Sequence, residues 1–414
     1  MNTSIFRLAS TSIIAAACLA ACGGGGGGGG PSTAGQSNNQ APTSPTSPTS
    51  PSTPPPAVQF GTAAVALAGE PACGFDAVNL TVTKIRFNMS ATATDASPGW
   101  TDITLPQPQR VNMAQLRNGA TLNLGTAALA PGHYAQARLV FDANNNNSTV
   151  NSVVPSGATA ELPLITQTVS AEGAAFGSGF DIANGQNLQL VADFDSCRSI
   201  VPNNSNFLLR PVLTSVPAVK NGISGVIDRA ALGGNVRVTA QQKGVLIRAA
   251  LPDPATGEFL LARLEPGSYD IVITSDDRAA SVITGVTVAA DANIVALNTA
   301  GAPITLGASA MGLINANLSL IPASAVEAPF GSALQSFGDG TVVTVGARMS
   351  NLATGNVTFP RLPVSRPLLA NWQAGQPLTF NLQAPISPGP GIYTIAASAP
   401  GYTTTRTVPF PAAN

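Results

Sequence analysis

Two carboxylates, Asp193 and Asp195, are the residues in this chain best placed by type and spacing to do chemistry. On an alternating run they share one face of a predicted strand, with Cα atoms about 7 Å apart. Paired carboxylates can hold calcium or divide into a general acid and a general base. The structural alternative is a solvated strand face, paired with the nearby Arg198. The single histidine, His133, sits in a Pro-Gly-His-Tyr turn. A catalytic triad needs a serine or cysteine nucleophile beside it, and a turn position reads as structural. The run Asp142-Ala143-Asn144-Asn145-Asn146 imitates the start of a calcium loop, but Asn147 stands where glycine is required and Val153 where a glutamate is. A polar surface loop is the expectation there. Asp276-Asp277 and Gly338-Asp339-Gly340 read as turns. The sequence has no GxSxG elbow, no HExxH and no Gly-rich phosphate loop. The expectation is a non-enzymatic chain with no catalytic residue, no metal site and no cofactor.

Cys73 and Cys197 lie far apart in sequence. In an oxidising compartment a lone distant pair most simply forms one disulfide. A metal or redox site would instead want a CxxC spacing or a histidine partner, and neither is present.

The elements that must carry these residues are nearly all strands. Val78, Leu80 and Val82 alternate with polar residues, after which Ile85, Phe87 and Met89 carry the apolar face. Such a one-residue change of phase predicts a β-bulge near Thr83-Lys84. Leu188, Leu190, Ala192 and Phe194 alternate in the same manner. The best short helix is 111–118, with Asn112 as cap and Gly119 as stop. Pro131-Gly132-His133-Tyr134, Pro266-Gly267-Ser268-Tyr269 and Pro390-Gly391-Ile392-Tyr393 repeat one motif at spacings of 135 and 124 residues. Pro-Gly makes a turn, and each tyrosine is expected to point its ring inward at the start of a strand. Three successive β-domains follow: 57–219, 220–306 and 307–414.

Only 9% of the residues are charged, against a usual quarter. There is no basic patch to suggest nucleic acid. Residues 22–56 read as a disordered tether. Gly23 to Gly30 form flexible coil, and the Pro-Thr-Ser repeats with Pro54-Pro55-Pro56 favour extended polyproline II. About 15 such residues reach ~45 Å. At the N-terminus, Arg7 precedes an apolar run from Leu8 to Leu19. About 12 residues is too short to span a bilayer and fits an export signal.

Leu19-Ala20-Ala21-Cys22 resembles the lipobox of a bacterial lipoprotein; Ala15-Ala16-Ala17-Cys18 is a weaker match, and a plain secretory cut near Ala20 or Ala21 is the alternative. The resemblance implies signal removal through residue 21 and acyl chains, palmitate among them, on Cys22, the first residue of the mature chain. Two or three chains anchor a protein stably where one does not. Gly23, in place of the aspartate that typically retains such lipoproteins at the inner membrane, implies the outer membrane.

Residues 57 to 217 resemble a bacterial lipoprotein family known only as a domain of unknown function (four-three-eight-two). The residues carrying this likeness are Ala72-Cys73-Gly74-Phe75-Asp76, Val82-Thr83-Lys84-Ile85, Gly99-Trp100-Thr101-Asp102-Ile103, Val111-Asn112, the run from Leu129 to Leu139, Asp193 through Ser199 and Leu209-Arg210-Pro211-Val212. The family implies an all-β fold and assigns no activity. The second domain is similar to the carboxypeptidase regulatory-like fold, a prealbumin-like β-sandwich and accessory module. Its marks are Gly222 to Ile227, Gly257-Glu258-Phe259 and Leu264 to Tyr269. The third domain echoes it more weakly through Pro390 to Tyr402.

The combined expectation is an all-β protein of tandem β-sandwich-like domains, following a lipoprotein signal peptide and a disordered Gly/Pro/Ser/Thr tether. It is expected to be lipid-anchored at the outer membrane, to bind membrane through that anchor, and to bind or adhere to a glycan or an envelope protein but no nucleic acid. The alternative is a periplasm-facing structural or assembly partner of another envelope protein, docked by strand addition.

Overall fold

The computed structural model describes residues 5–9 (backbone only), 58–70, 73–145, 148–166, 173–290, 293–382, 386–406 and 409–412. Cys22, the segment read as a tether and most of the segment read as a signal lie outside these residues.

The chain is all-β, built from tandem β-sandwich-like bodies. In the first, a four-stranded sheet orders Leu213–Val216, Asn187–Phe194, Gly61–Gly69 and Leu122–Leu129. Its two central strands run parallel, so that Asp193 lies opposite Ala68 and Phe194 opposite Gly69. Facing it is a larger sheet centred on the 14-residue strand Phe75–Asn88. Inward residues of both sheets, among them Val65, Leu67, Leu80, Phe87, Leu129, Phe141 and Phe194, make one apolar core. Register against both neighbours shifts between Val82 and Lys84, where the change of phase places the bulge. The extra residue lets Val82 and Ile85 both face the core. Met89 departs from the expected face: the strand ends at Asn88 and Met89 is exposed.

The anticipated helix is a single 3-10 turn, Met113–Gln115. Asn112 caps it by accepting from the Ala114 N–H at 3.0 Å. Leu116 already ends it as C-cap, and Asn118 and Gly119, the expected stop, turn left-handed beyond it. A second short helix, Ser196–Ser199, follows the Asn187–Phe194 strand.

The second core is enclosed by Glu258–Ala262, Gly222–Val226 and Ile294–Ala296 on one side. A six-stranded sheet closes the other side: Val245–Ala250, Arg237–Gln242, Gly267–Thr274, Ser281–Val288, Leu368–Asn371 and Asn381–Leu382. The last two strands come from beyond residue 307. Ala370 enters the second core, and Trp372, Leu378 and Phe380 pack against it. The 220–306 segment therefore does not complete its own sheet. The third core forms between Met311–Ile321 with Asn356–Pro363 and a sheet containing Val342–Met349, Phe330–Phe337 and Ile392–Ser398. Backbone of Ile5–Ala9 lies parallel to Met311–Ile321 at the edge of that sandwich.

The three Pro-Gly tyrosines behave alike. Tyr134, Tyr269 and Tyr393 are all buried. The hydroxyls of Tyr134 and Tyr269 donate to the carbonyls four residues upstream, Ala130 at 3.2 Å and Glu265 at 2.7 Å. Tyr393 reaches instead to the Pro363 carbonyl at 2.6 Å. Each ring fills core while its hydroxyl fastens a neighbouring chain segment.

Each sandwich touches the other two. Gln241, fully buried in the second, exchanges two 2.8 Å bonds with the Thr344 backbone of the third. Val272, Val282 and Leu369 pack against Phe337 and Val343 across the same seam. Between first and third, the Leu352 N–H donates to the Pro202 carbonyl at 2.8 Å, and the Arg198 guanidinium lies 4.9 Å from the Phe330 ring centroid.

Candidate functional site

The parallel pairing of Gly61–Gly69 with Asn187–Phe194 brings their C-terminal ends together. Glu70 and Asp193 thus emerge side by side at the rim of the first sandwich, Glu70 being tied to the Phe194 carbonyl through its own N–H. Into this pair the second sandwich inserts Arg248 from the strand Val245–Ala250. Its Nη1 donates to Asp193 Oδ2 at 2.5 Å and lies 3.0 Å from Glu70 Oε1. The Ala249 N–H also donates to Glu70, at 3.2 Å. Asp193 is only 5% exposed, so the expected solvated face does not exist at this position. A second sandwich covers it.

Asp195 has a different task. It caps the Ser196–Ser199 helix, accepting from the Cys197 and Arg198 N–H groups at 2.9 and 3.0 Å. Arg198 Nε lies 3.7 Å away, the pairing anticipated for it. The two aspartates are therefore committed to different contacts rather than joined around one site. Among the described residues no group of three or more His, Cys, Asp or Glu side chains is arranged to hold a metal ion.

Burial pushes the Glu70 carboxyl up to about 8, against the pull of Arg248; Asp193 and Asp195 add repulsion. Arg248 is held above its ordinary range, the two carboxylates outweighing its burial. The seam thus confines a cation with several acids, one of which keeps its proton at neutral pH. It is incompletely satisfied, since Asp193 Oδ1 and Arg248 Nε have no hydrogen-bond partner. Such pairs fix one docking geometry more than they stabilise it.

Cys73 and Cys197 form a disulfide. Beside it, Arg237 of the second sandwich donates through Nη2 to Cys197 Sγ at 3.1 Å. The bridge opens onto a cavity of about 480 Å³ at the place where all three sandwiches meet. Cys73, Gly74 and Arg117 line it from the first, Arg237 from the second and Arg348 from the third. A volume of this size is within the usual range for small-molecule sites.

The remaining candidates are structural. His133 Nδ1 lies 2.9 Å from Asp181 Oδ1, a cross-strand pair in which both side chains are solvent-exposed. In the calcium-like run, Asn144 and the fully buried Asn151 consume each other's polar groups. Asn144 accepts from the Asn151 N–H at 2.7 Å and donates to the Asn151 and Leu164 carbonyls, while Asn151 accepts from the Thr81 N–H. The expected open polar loop is, at these two residues, a staple; Asn146 and Asn147 lie outside the described residues. Asp276 and Asp277 form a turn clamped by Arg361 at 2.6 and 3.3 Å.

Glu70, Arg248, Arg237 and Arg348 went unremarked in the sequence. Arg248 carried the clearest signal, a lone charge inside the apolar run Val245-Leu246-Ile247-Arg248-Ala249-Ala250. A charge there must find a partner or cost several kcal/mol.

Residues 60–211 match the model of a family described as Domain of unknown function (DUF4382). The matched segment contains the disulfide, Glu70 and Asp193, whereas Arg248 lies outside it. No curated protein matches the chain. Among solved structures, it is similar to the Bacillus anthracis TIE protein at 10% identity and a TM-score of 0.17, covering 86% of this chain and 49% of that one. It is also similar to a Streptococcal ancillary pilin at 8% identity and a TM-score of 0.16, covering 84% and 95%. The chain spans about half the length of the TIE protein. TM-scores this low carry no inference about fold or function.

Proposed function

We propose that this chain is a non-enzymatic binding module, held at the outer membrane by acyl chains on Cys22 and carrying its ligand site at the junction of its three sandwiches. The cavity of about 480 Å³ is the observation that carries this reading. Its walls come from three separate cores and are fixed by the Cys73–Cys197 bridge and the Gln241–Thr344 bonds. A preformed concave site of this kind spends little of its binding energy on ordering itself.

The side chains that could do chemistry support binding over turnover. Asp193 is engaged by Arg248, Asp195 by the Ser196–Ser199 helix, and His133 faces solvent beside Asp181 without a nucleophile at hand. Anchoring rests on Leu19 to Cys22 and Gly23, with the Pro-rich tether lifting the folded body from the membrane. Among the described residues no helix is long and apolar enough to cross a membrane, which leaves β-barrels unaddressed. The second sandwich is read as the carboxypeptidase regulatory-like accessory module.

Protease shaving of intact and permeabilised cells carrying a C-terminally tagged chain tests the placement, with Cys22→Ser as the anchor control. Loss of the tag from intact cells is the expected outcome and directs the ligand search to glycans and neighbouring cells. Protection until permeabilisation replaces display with the periplasm-facing alternative. Tag release into the medium by the unmutated chain overturns the lipid anchor.

A further inference from the structure

The cations around the cavity are not balanced by acids. Four arginines line it, Arg117, Arg237, Arg348 and Arg361, against two aspartates, Asp76 and Asp276. Arg361 is neutralised by Asp276 and Asp277. Arg237 donates to the disulfide sulfur and has Glu70 and Asp195 at electrostatic range. Arg348 is half-buried on the third sandwich's wall of the cavity. It projects from Val342–Met349, and its guanidinium lies where a Cβ on Gly74 would stand. Gly74 has φ +86° and lacks that atom, so the backbone next to Cys73 forms a seat for the guanidinium.

Among the described residues no acid forms an ion pair with Arg348. Burial alone moves its pKa down, and no neighbouring charge offsets the shift. Burial lowers the Arg237 pKa against the pull of Glu70 and Asp195, and Arg348 lowers it further as a like charge. Two guanidiniums are therefore held within electrostatic reach of each other in the cavity lining, and Arg348 has no ion-pair partner among the described residues. Burying a cation in this way costs free energy that a bound anion returns. Elsewhere in this protein, at Arg248 and Arg361, the chain supplies the acid itself.

We propose that the junction cavity binds a small organic oxyanion, a carboxylate or phosphate group seated on Arg348 and within the field of Arg237. A planar guanidinium presents parallel N–H donors that match either group with two bonds. The rest of the ligand meets a mixed wall. Ser156 and Asn235 are exposed polar residues of the lining, and Leu246, Pro252 and Leu362 offer apolar surface. That combination suits an acidic saccharide or a sugar phosphate. The assignment rests on the reading of the junction as a ligand site and adds the charge and class of what occupies it.

Calorimetric titration of the full-length chain in mild detergent, with D-galacturonate, D-glucose 6-phosphate and D-glucose as probes, tests it. At least one anion is expected to bind and D-glucose is not; which anion binds more tightly distinguishes the carboxylate source from the phosphate source. Arg348→Gln should weaken that anion by about tenfold or more, while the unliganded variant melts no lower than the wild type, because an unpartnered cation has been removed. Anion binding unchanged in Arg348→Gln overturns the assignment, and so does failure of both anions to bind. Equal binding of D-glucose also overturns it, while leaving the junction standing as a ligand site. Should Arg348→Gln not fold, Arg348→Lys keeps the charge and loses the planar fork. Undiminished anion affinity in that variant likewise overturns the proposal.

Discussion

A single buried arginine decides how the first two sandwiches meet. Arg248→Ala leaves Asp193 buried with its partner removed, and the expected loss is about 3–5 kcal/mol. Asp193→Leu combined with Arg248→Met should cost less than either single change, a sign of coupling that urea titration of the four proteins in the cycle would detect. Glu70 adds a pH dependence with a definite sign. Its folded pKa, about 8, stands above its ordinary 4.5, so folding favours the protonated form. The contribution is fully present below about pH 4.5 and is lost as pH rises through 8. Melting temperature should therefore fall between pH 5 and 9, and Glu70→Gln should flatten most of that slope; an identical slope in the variant would dismiss Glu70 as its source. Neither effect was legible from Asp193 and Asp195 alone. Their spacing identified two acids near one another, while the cation between Glu70 and Asp193 comes from a strand more than fifty residues away in sequence.

Strands were largely readable and their membership in sheets was not. The Val82–Lys84 bulge follows from a change of phase, because alternation has a period of two and one extra residue flips the face. The Asn112 cap is local as well: one side chain meets an N–H two residues ahead. Leu368–Asn371 is different. Nothing in its residues says that it pairs in parallel with Ser281–Val288, as it does over four positions. Expression of 220–306 alone should consequently fail to give a stable monomer, since that piece lacks the strand beside Ser281–Val288 and the Ala370, Trp372 and Phe380 contacts. A cooperative thermal transition for that fragment at the temperature of the full chain would contradict this. The Cys73–Cys197 bridge closes a separation of 124 residues. Cys73→Ser should lower stability, by about 5 kcal/mol at most on chain-entropy grounds, and should leave acylation of Cys22 unchanged. An unchanged melting temperature would show the bridge to be dispensable.

At the scale of the molecule, the three sandwiches form a ring of mutual contacts, and the candidate site exists only because they do. The residues lining the cavity come from all three and lie as far apart in sequence as Cys73 and Pro363. The sequence by itself determined the all-β class, the bulge, the caps, the inward tyrosines and the pairing of two distant cysteines. All of these except the disulfide rest on periodicity or on side chains reaching a few residues along the chain, and the disulfide followed because Cys18 and Cys22, the other two cysteines, fall in the segment read as signal and lipid-attachment site. Tertiary structure alone decided that Asp193 is buried, that Leu368–Asn371 crosses into the second sheet and that Arg348 lines a cavity with no ion-pair partner among the described residues. These depend on which surfaces meet, and at 9% charged residues each buried charge has few possible partners, found only once the sandwiches have docked.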